Sequence, residues 1–194
     1  MLTGRIHSLL TLQQKQIQGR QLWEWINIIF NTVDKRRLRK VGPDRLCAEW
    51  VLKNGGAVRF WQNPNNLLSN YNLLPPEKET PGQETLKEID ATNSAIMTIG
   101  FAHLAGCHKI DKIIIDNCKM VGDRGFQHFA NVKNSLNHLE IAQCANVTDS
   151  GIRKLIDLTN LKTLTLKQLP GVKDWSSLEK ELKMHLKNCH IKIT

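Results

Sequence analysis

Ile110–Val121 reads IDKIIIDNCKMV, Leu136–Val147 reads LNHLEIAQCANV, and Leu161–Val172 reads LKTLTLKQLPGV. The three share one pattern, LxxLxLxxC/LxxV with Ile allowed for Leu, and their starts lie 26 and then 25 residues apart. The match continues past each stretch: Asp123 and Gly125 recur as Asp149 and Gly151, and Asp174 keeps the acid. A weaker copy, LKEIDATNSAI, starts at Leu86. A fixed period of this length predicts one supersecondary unit per copy, each burying its apolar face against its neighbours.

The periodicity resembles the cysteine-containing class of leucine-rich repeats, in which a short strand lines a concave face and a helix backs it. The fold class expected is therefore α/β, a short solenoid of about four repeats over residues 86–175. Both ends of such a stack need covering. On the C-terminal side, residues 176–194 predict a cap. Ser176 stands as its N-cap, with Glu179 at capping-box spacing, and Leu178, Leu182 and Leu186 follow at helical spacing before a closing strand.

On the N-terminal side, residues 62–85 are rich in Asn, Pro and Gly and read as an irregular connection. Residues 21–61 read as a helical capping domain. In QLWEWINIIFN, Trp23, Ile26, Ile29 and Phe30 fall near one face of a helix. Asp34 starts a second short helix that ends near Gly42. Pro43 suits the first position of a third, since its missing N–H would be unpaired there. Asn54-Gly55 suits a left-handed C-terminal cap. AVRFW then reads as a strand.

Residues 1–20 carry Arg5, Lys15 and Arg20 and no acid. With Leu2, Ile6, Leu9 and Leu10 at helical spacing, they read as a mitochondrial transit peptide in preference to an ordinary exposed helix. The formal charge of +9 falls when this segment is left out, to 24 basic against 18 acidic residues. No stretch approaches the roughly 18 apolar residues of a membrane span.

Candidate chemistry is sparse. The five cysteines include no CxxC pair, which argues against a disulfide framework or a thiolate zinc site. Cys118 and Cys144 share one repeat position, with Leu169 at the equivalent place, and recurrence of that kind predicts burial, not catalysis. Asp123 and Asp149 each precede a helical segment and read as helix caps. Seven scattered histidines form no HExxH, and no phosphate-binding glycine motif occurs. The run Lys35, Arg36, Arg37, Arg39, Lys40 reads as a solvated face or as a surface for anionic lipid or an acidic partner. No aromatic residues interleave with these bases, so no nucleic acid is expected.

WEWINIIFNTVDKRRLRKVGPDRLCAEWVLKNGGAVRF, IDATNSAIMTIGFAHLAG, CANVTDSGI and LPGVKD resemble the mitochondrial ATP synthase coupling factor B (subunit s) family over about residues 21–194. The resemblance implies a non-enzymatic protein on the matrix side of the mitochondrial inner membrane. It implies peripheral association with the ATP synthase complex, through its membrane sector or stalk, supporting coupled proton conduction and limiting proton leak. It also implies a magnesium ion bound with backbone participation, carried here by Gly55 and Thr92. The family's first full repeat carries a CxC dithiol. The corresponding run here is Asp116-Asn117-Cys118, which leaves one thiol. Contact with anionic inner membrane and homo-oligomer formation are compatible with this reading. Two alternatives stand beside it: an assembly factor for another inner-membrane respiratory complex, and an F-box-like adaptor of a ubiquitin ligase. An enzyme built on Cys107 or Cys118 ranks third.

Overall fold

A computed structural model describes residues 22–77 and 83–194. The segment read as a transit peptide lies outside the described residues. Each sequence copy supplies one strand. β1 (Ala57–Phe60), β2 (Leu86–Asp90), β3 (Lys112–Asp116), β4 (His138–Ala142), β5 (Thr163–Lys167) and β6 (His190–Ile193) form one six-stranded sheet in chain order. β1 runs antiparallel to β2, and every later pair is parallel. The architecture is mixed α/β.

The register explains the repeat. Ile113, Leu139, Leu164 and Ile191 occupy one row across the sheet, and Ile115, Ile141, Leu166 and Ile193 the next. Both rows face the core, and all but the two β6 residues are buried. Burying one such side chain contributes about 1.5–3 kcal/mol, so a row repeated strand by strand carries much of the stability. Lys112, His138, Thr163 and His190 form the parallel row on the opposite face.

The chain leaves each strand in the same strained way. Asn93, Asn117, Gln143 and Gln168 all have positive φ, between 46° and 56°. That conformation is uncommon for residues other than glycine. Each N–H reaches the neighbouring repeat: Asn93 to Asp116 O, Asn117 to Ala142 O, Gln143 to Lys167 O and Gln168 to Thr194 O. The turn delivers the next residue inward. Cys118 and Cys144 are fully buried there, and Leu169 takes the same place.

Two expectations about the repeats need correcting. The backing segments are mostly 3₁₀ turns, at Thr98–Leu104, Asp123–Asn131 and Lys154–Asp157, with one short helix, α4 (Asp149–Arg153). A 3₁₀ turn rises about 2.0 Å per residue against about 1.5 Å for an α-helix, so it spans the return path with fewer residues. Asp123 and Asp149 do not cap their own helices. The Asp123 carboxylate accepts from the N–H and hydroxyl of Thr148, and the Asp149 carboxylate accepts from the N–H groups of Lys173 and Asp174. They tie each repeat to the next.

The C-terminal cap also starts differently. α5 (Trp175–His185) is capped by Asp174, whose carboxylate accepts from Ser177 N–H at 2.9 Å, and not by Ser176. Asp174 is already fixed by its own bond to Asp149, which places its carboxylate at the helix start. The connection before β2 is less irregular than its composition suggests. Leu68 forms an antiparallel bridge with Val58, and Tyr71–Leu73 makes a 3₁₀ turn.

One glycine shows how tightly the repeats approach. A Cβ on Gly171 would stand 2.4 Å from Val147 O and 3.0 Å from Ala145 O, both backbone atoms. Gly171→Ala is expected to cost about 1–3 kcal/mol, the range for overpacking. Urea unfolding measures it, and an unchanged midpoint would mean the two repeats separate freely.

Candidate functional site

The N-terminal residues build three helices. α1 covers 22–31, α2 is Lys35–Val41 and α3 is Pro43–Lys53. Asp34 caps α2 by accepting from Arg36 and Arg37 N–H at 2.7 and 3.0 Å. Those backbone bonds hold its carboxyl below the usual range. Pro43 opens α3 as its sequence position predicts, and Gly55 beyond its end has φ +84°. The Asp44 carboxylate at the start of α3 accepts from Leu86 N–H at 2.7 Å, which fastens the cap to the first repeat strand. Burial raises that carboxyl.

Asn31 is the hub where α1 meets the rest. Its side-chain amide donates to Asn54 Oδ1 at 2.9 Å and to Ala95 O at 3.2 Å. Its Oδ1 accepts from Trp50 Nε1 at 3.0 Å and Met97 N–H at 2.8 Å. α1, α3 and the first repeat therefore share one buried amide. Nothing in the sequence singles Asn31 out, because its role depends on partners up to 66 residues away.

α1 is helical, as its sequence spacing predicts, but its apolar residues are not covered. Trp23 is 66 % exposed and Trp25 60 %, and Leu22, Ile28, Ile29 and Phe30 are also exposed. The anchoring bonds sit at Asn31, at the C-terminal end of the helix, which leaves the preceding turns standing clear. A cluster of this kind marks an interaction surface. The basic run follows at once. Arg37 is occupied by Glu49 and Glu77 and Lys40 by Glu77, whereas Lys35, Arg36 and Arg39 are exposed.

Behind α2 lies a buried charge cluster. Glu49 is fully buried and is paired with Arg37, Arg45 and Lys53. Arg45, itself buried, reaches on to Glu84 at 3.0 Å and to Pro75 O at 2.6 Å. The cluster straps the connection before β2 onto α3.

Gly55 lies in the turn before β1 and Thr92 lies just past β2; the β1–β2 register ends at the Ala57–Asp90 pair, two residues short of both. The Asp90 carboxylate accepts from Thr92 N–H and hydroxyl at 2.9 and 2.6 Å. Continuing the β2–β3 register sets Asp116 beside Thr92. Asp116 Oδ1 is the buried side-chain oxygen without a hydrogen-bond partner among the described residues. Backbone carbonyls with nearby carboxylates form the oxygen-only environment that suits a hard divalent cation. Among the described residues no three His, Cys, Asp or Glu side chains converge as a metal cluster.

The cysteines divide differently from what a dithiol site needs. Cys118 Sγ donates to Ala91 O at 2.8 Å and Cys144 Sγ to Ala142 O at 3.1 Å. The neighbouring Cys144 thiol lowers the Cys118 pKa to about 7. The neighbouring Cys118 thiol and burial push the Cys144 thiol up. Cys107 is fully buried, and burial pushes Cys47 up as well. The opposite face of the sheet is polar and largely self-paired. Glu88 bridges Arg59 and Lys112, and Lys167 pairs with Glu140. A hollow of about 300 Å³ there is lined by Lys112, His138, Glu140 and Thr163.

His103 gives the junction a pH signature. It stacks on Trp50 with centroids 5.0 Å apart and donates through Nδ1 to Gly100 O at 2.8 Å. Burial lowers its pKa to about 4 from an ordinary 6.5. The unfolded chain therefore binds more protons between about pH 6.5 and about pH 4, and stability falls as pH falls through that window. About 2 kcal/mol is expected to be lost between pH 7 and pH 5. His103→Gln should remove that component, which paired urea titrations at the two pH values would show.

The fold and this junction define a small mixed α/β repeat protein, capped by helices and carrying an exposed apolar helix at one end. No protein-family model matches the chain. Among curated proteins, ATP synthase subunit s, mitochondrial, of Mus musculus is 39 % identical over 199 residues, covering 100 % of this chain and 98 % of the relative. The Rattus norvegicus protein of the same name is 38 % identical over 96 % of this chain and 100 % of the relative. The Homo sapiens protein is 37 % identical over 90 % and 88 %. The chain belongs to the mitochondrial ATP synthase subunit s family. The relatives' shared name points to mitochondria and ATP synthase, not to a ubiquitin-ligase adaptor.

Proposed function

We propose that this protein is a non-catalytic leucine-rich-repeat module of the mitochondrial inner membrane. It associates with ATP synthase from the matrix side, supports coupled proton conduction and limits proton leak. The observation that carries the reading is the exposed apolar face of α1 next to Lys35, Arg36 and Arg39. Apolar and aromatic side chains beside free bases suit the boundary of an anionic bilayer. Among the described residues no helix is long and apolar enough to cross a membrane. In this reading the contact is peripheral, with the membrane holding α1 and the repeats facing the synthase.

The test is affinity purification of the full chain from mitochondria, scored for ATP synthase against other respiratory complexes. Recovery of ATP synthase subunits supports the reading. Recovery of another complex alone replaces it with an assembly factor, and recovery of neither overturns it. Trp23→Glu with Trp25→Glu should weaken binding to anionic phospholipid vesicles at least tenfold and leave the thermal midpoint unchanged.

The same reading includes a magnesium ion at the junction, held by the Gly55 and Thr92 carbonyls with Asp116 alongside. Bound there, the ion supplies positive charge between cap and first repeat. Magnesium chloride is expected to raise the thermal midpoint relative to excess chelator, with a smaller rise for Asp116→Asn. Equal midpoints for the protein with magnesium and with chelator would remove the ion from the proposal.

A further inference from the structure

The sheet ends on β6, and its outer edge is unpaired among the described residues. His190 N–H donates to Lys162 O at 2.8 Å and Thr194 N–H to Leu166 O at 3.0 Å, while Thr194 O accepts from Gln168 N–H at 2.9 Å. In a parallel strand the backbone groups alternate from side to side. Residues 190, 192 and 194 therefore face β5, and the N–H and C=O groups of Ile191 and Ile193 point outward. An exposed row of this kind is a template for an added strand.

Two further features surround that edge. On the core side, a hollow of about 710 Å³ opens beside Leu169, Val172, Trp175 and Ile193. On the other side, His190 and Lys192 are exposed. The charge there is one-sided: residues 161–194 hold seven lysines against three acidic residues. Lys167 and Lys183 are paired with Glu140 and Glu179, and Lys192 stands beside the open edge.

We propose that the β6 edge docks an extended segment of a partner protein. The main chain of that segment pairs with Ile191 and Ile193. Its apolar side chains lie over the Leu169–Trp175 hollow, and its acidic side chains lie along Lys192 and His190. Strand addition of this kind takes affinity from backbone bonds and specificity from alternate side chains. The charges disfavour a second copy of this chain as occupant. The antiparallel register that pairs most outward groups sets Lys192 against Lys192 of that copy, and the next sets it against His190. Like charges directly opposite one another destabilise a strand pair. The proposal concerns the end of the sheet remote in sequence from α1 and does not rest on membrane attachment.

The test titrates the isotope-labelled full chain with a capped synthetic peptide of alternating Val and Glu, and with its Val and Lys counterpart. The Glu peptide is expected to shift and protect the Ile191 and Ile193 amides, to weaken with added salt, and to bind at least tenfold more tightly than the Lys peptide. Ile193→Pro removes an outward N–H together with a half-buried side chain that borders the hollow, so it should abolish binding at a modest cost in melting temperature. If that variant does not fold, Lys192→Glu serves in its place and should reverse the preference between peptides. Equal binding of both peptides, or shifts confined to other strands, would overturn the proposal. Sedimentation showing a dimer that Ile193→Pro dissociates would also overturn it, since the edge would then serve self-association.

Discussion

Replacing Glu49 by Ala is expected to destabilise the protein by about 3–5 kcal/mol, the cost of leaving buried charge without its partner. Glu49 is fully buried and Arg45 is 8 % exposed. The substitution strips Arg45 and Arg37 of a shared carboxylate and leaves only Glu84 and Glu77, on the connection before β2, as counter-charges. Of the two, Arg45 is the more costly to strand, because its side chain is the less exposed. Glu49→Gln preserves the shape and removes the charge, so it should cost nearly as much. If Glu49→Ala lost under 1 kcal/mol in urea unfolding, the arginines would be reaching water in the folded state. The double change Arg45→Met with Glu49→Leu should recover much of the loss, because apolar residues of similar size carry no desolvation cost.

What the sequence disclosed depended on repetition. The strand positions could be read because Ile113, Leu139 and Leu164 recur at one repeat position and face one core. The weaker copy at Leu86 became β2 for the same reason. Local chemistry was equally legible where it involved near neighbours: Asp34 capping α2, Pro43 opening α3, Gly55 in the left-handed region. It misled where two nearby groups competed. Asp174 and Ser176 both stand at the start of α5, and a bond from the previous repeat fixes Asp174 as the cap. Asp123 and Asp149 read as local caps because a sequence does not show which backbone lies across the stack.

The junction was the least legible part. Neither Glu49 nor Asn31 lies in a motif, and each needs a partner distant in sequence: Arg37 for Glu49, and Asn54, Trp50, Ala95 and Met97 for Asn31. The exposure of α1 was hidden too. Its apolar spacing is what a buried helix would show, and only the placement of its anchor at one end separates the two outcomes. Gly55 and Thr92 were carried by family resemblance alone. They stand at the two sides of the β1–β2 pairing, one before β1 and one after β2.

Asn31→Ala is expected to cost on the order of 3–4 kcal/mol and to free α1. The change leaves Trp50 Nε1–H and Met97 N–H without an acceptor, and Asn54 Oδ1 and Ala95 O without this donor. Each buried group left unpaired costs about 1–3 kcal/mol, and Asn31 is itself fully buried. Asn31→Asp keeps the acceptor for Trp50 and Met97 but turns a carboxylate toward the Asn54 and Ala95 oxygens, so it should not rescue. Amide hydrogen exchange separates two consequences. Loss of global stability accelerates exchange across the sheet, whereas release of the anchor accelerates residues 22–31 beyond that, because local opening draws on local contacts. Acceleration in the sheet alone would show that α1 is held by contacts other than this amide. The anchoring role also predicts weaker vesicle binding for Asn31→Ala even where the chain is folded, since a frayed α1 must order before its apolar face can be buried.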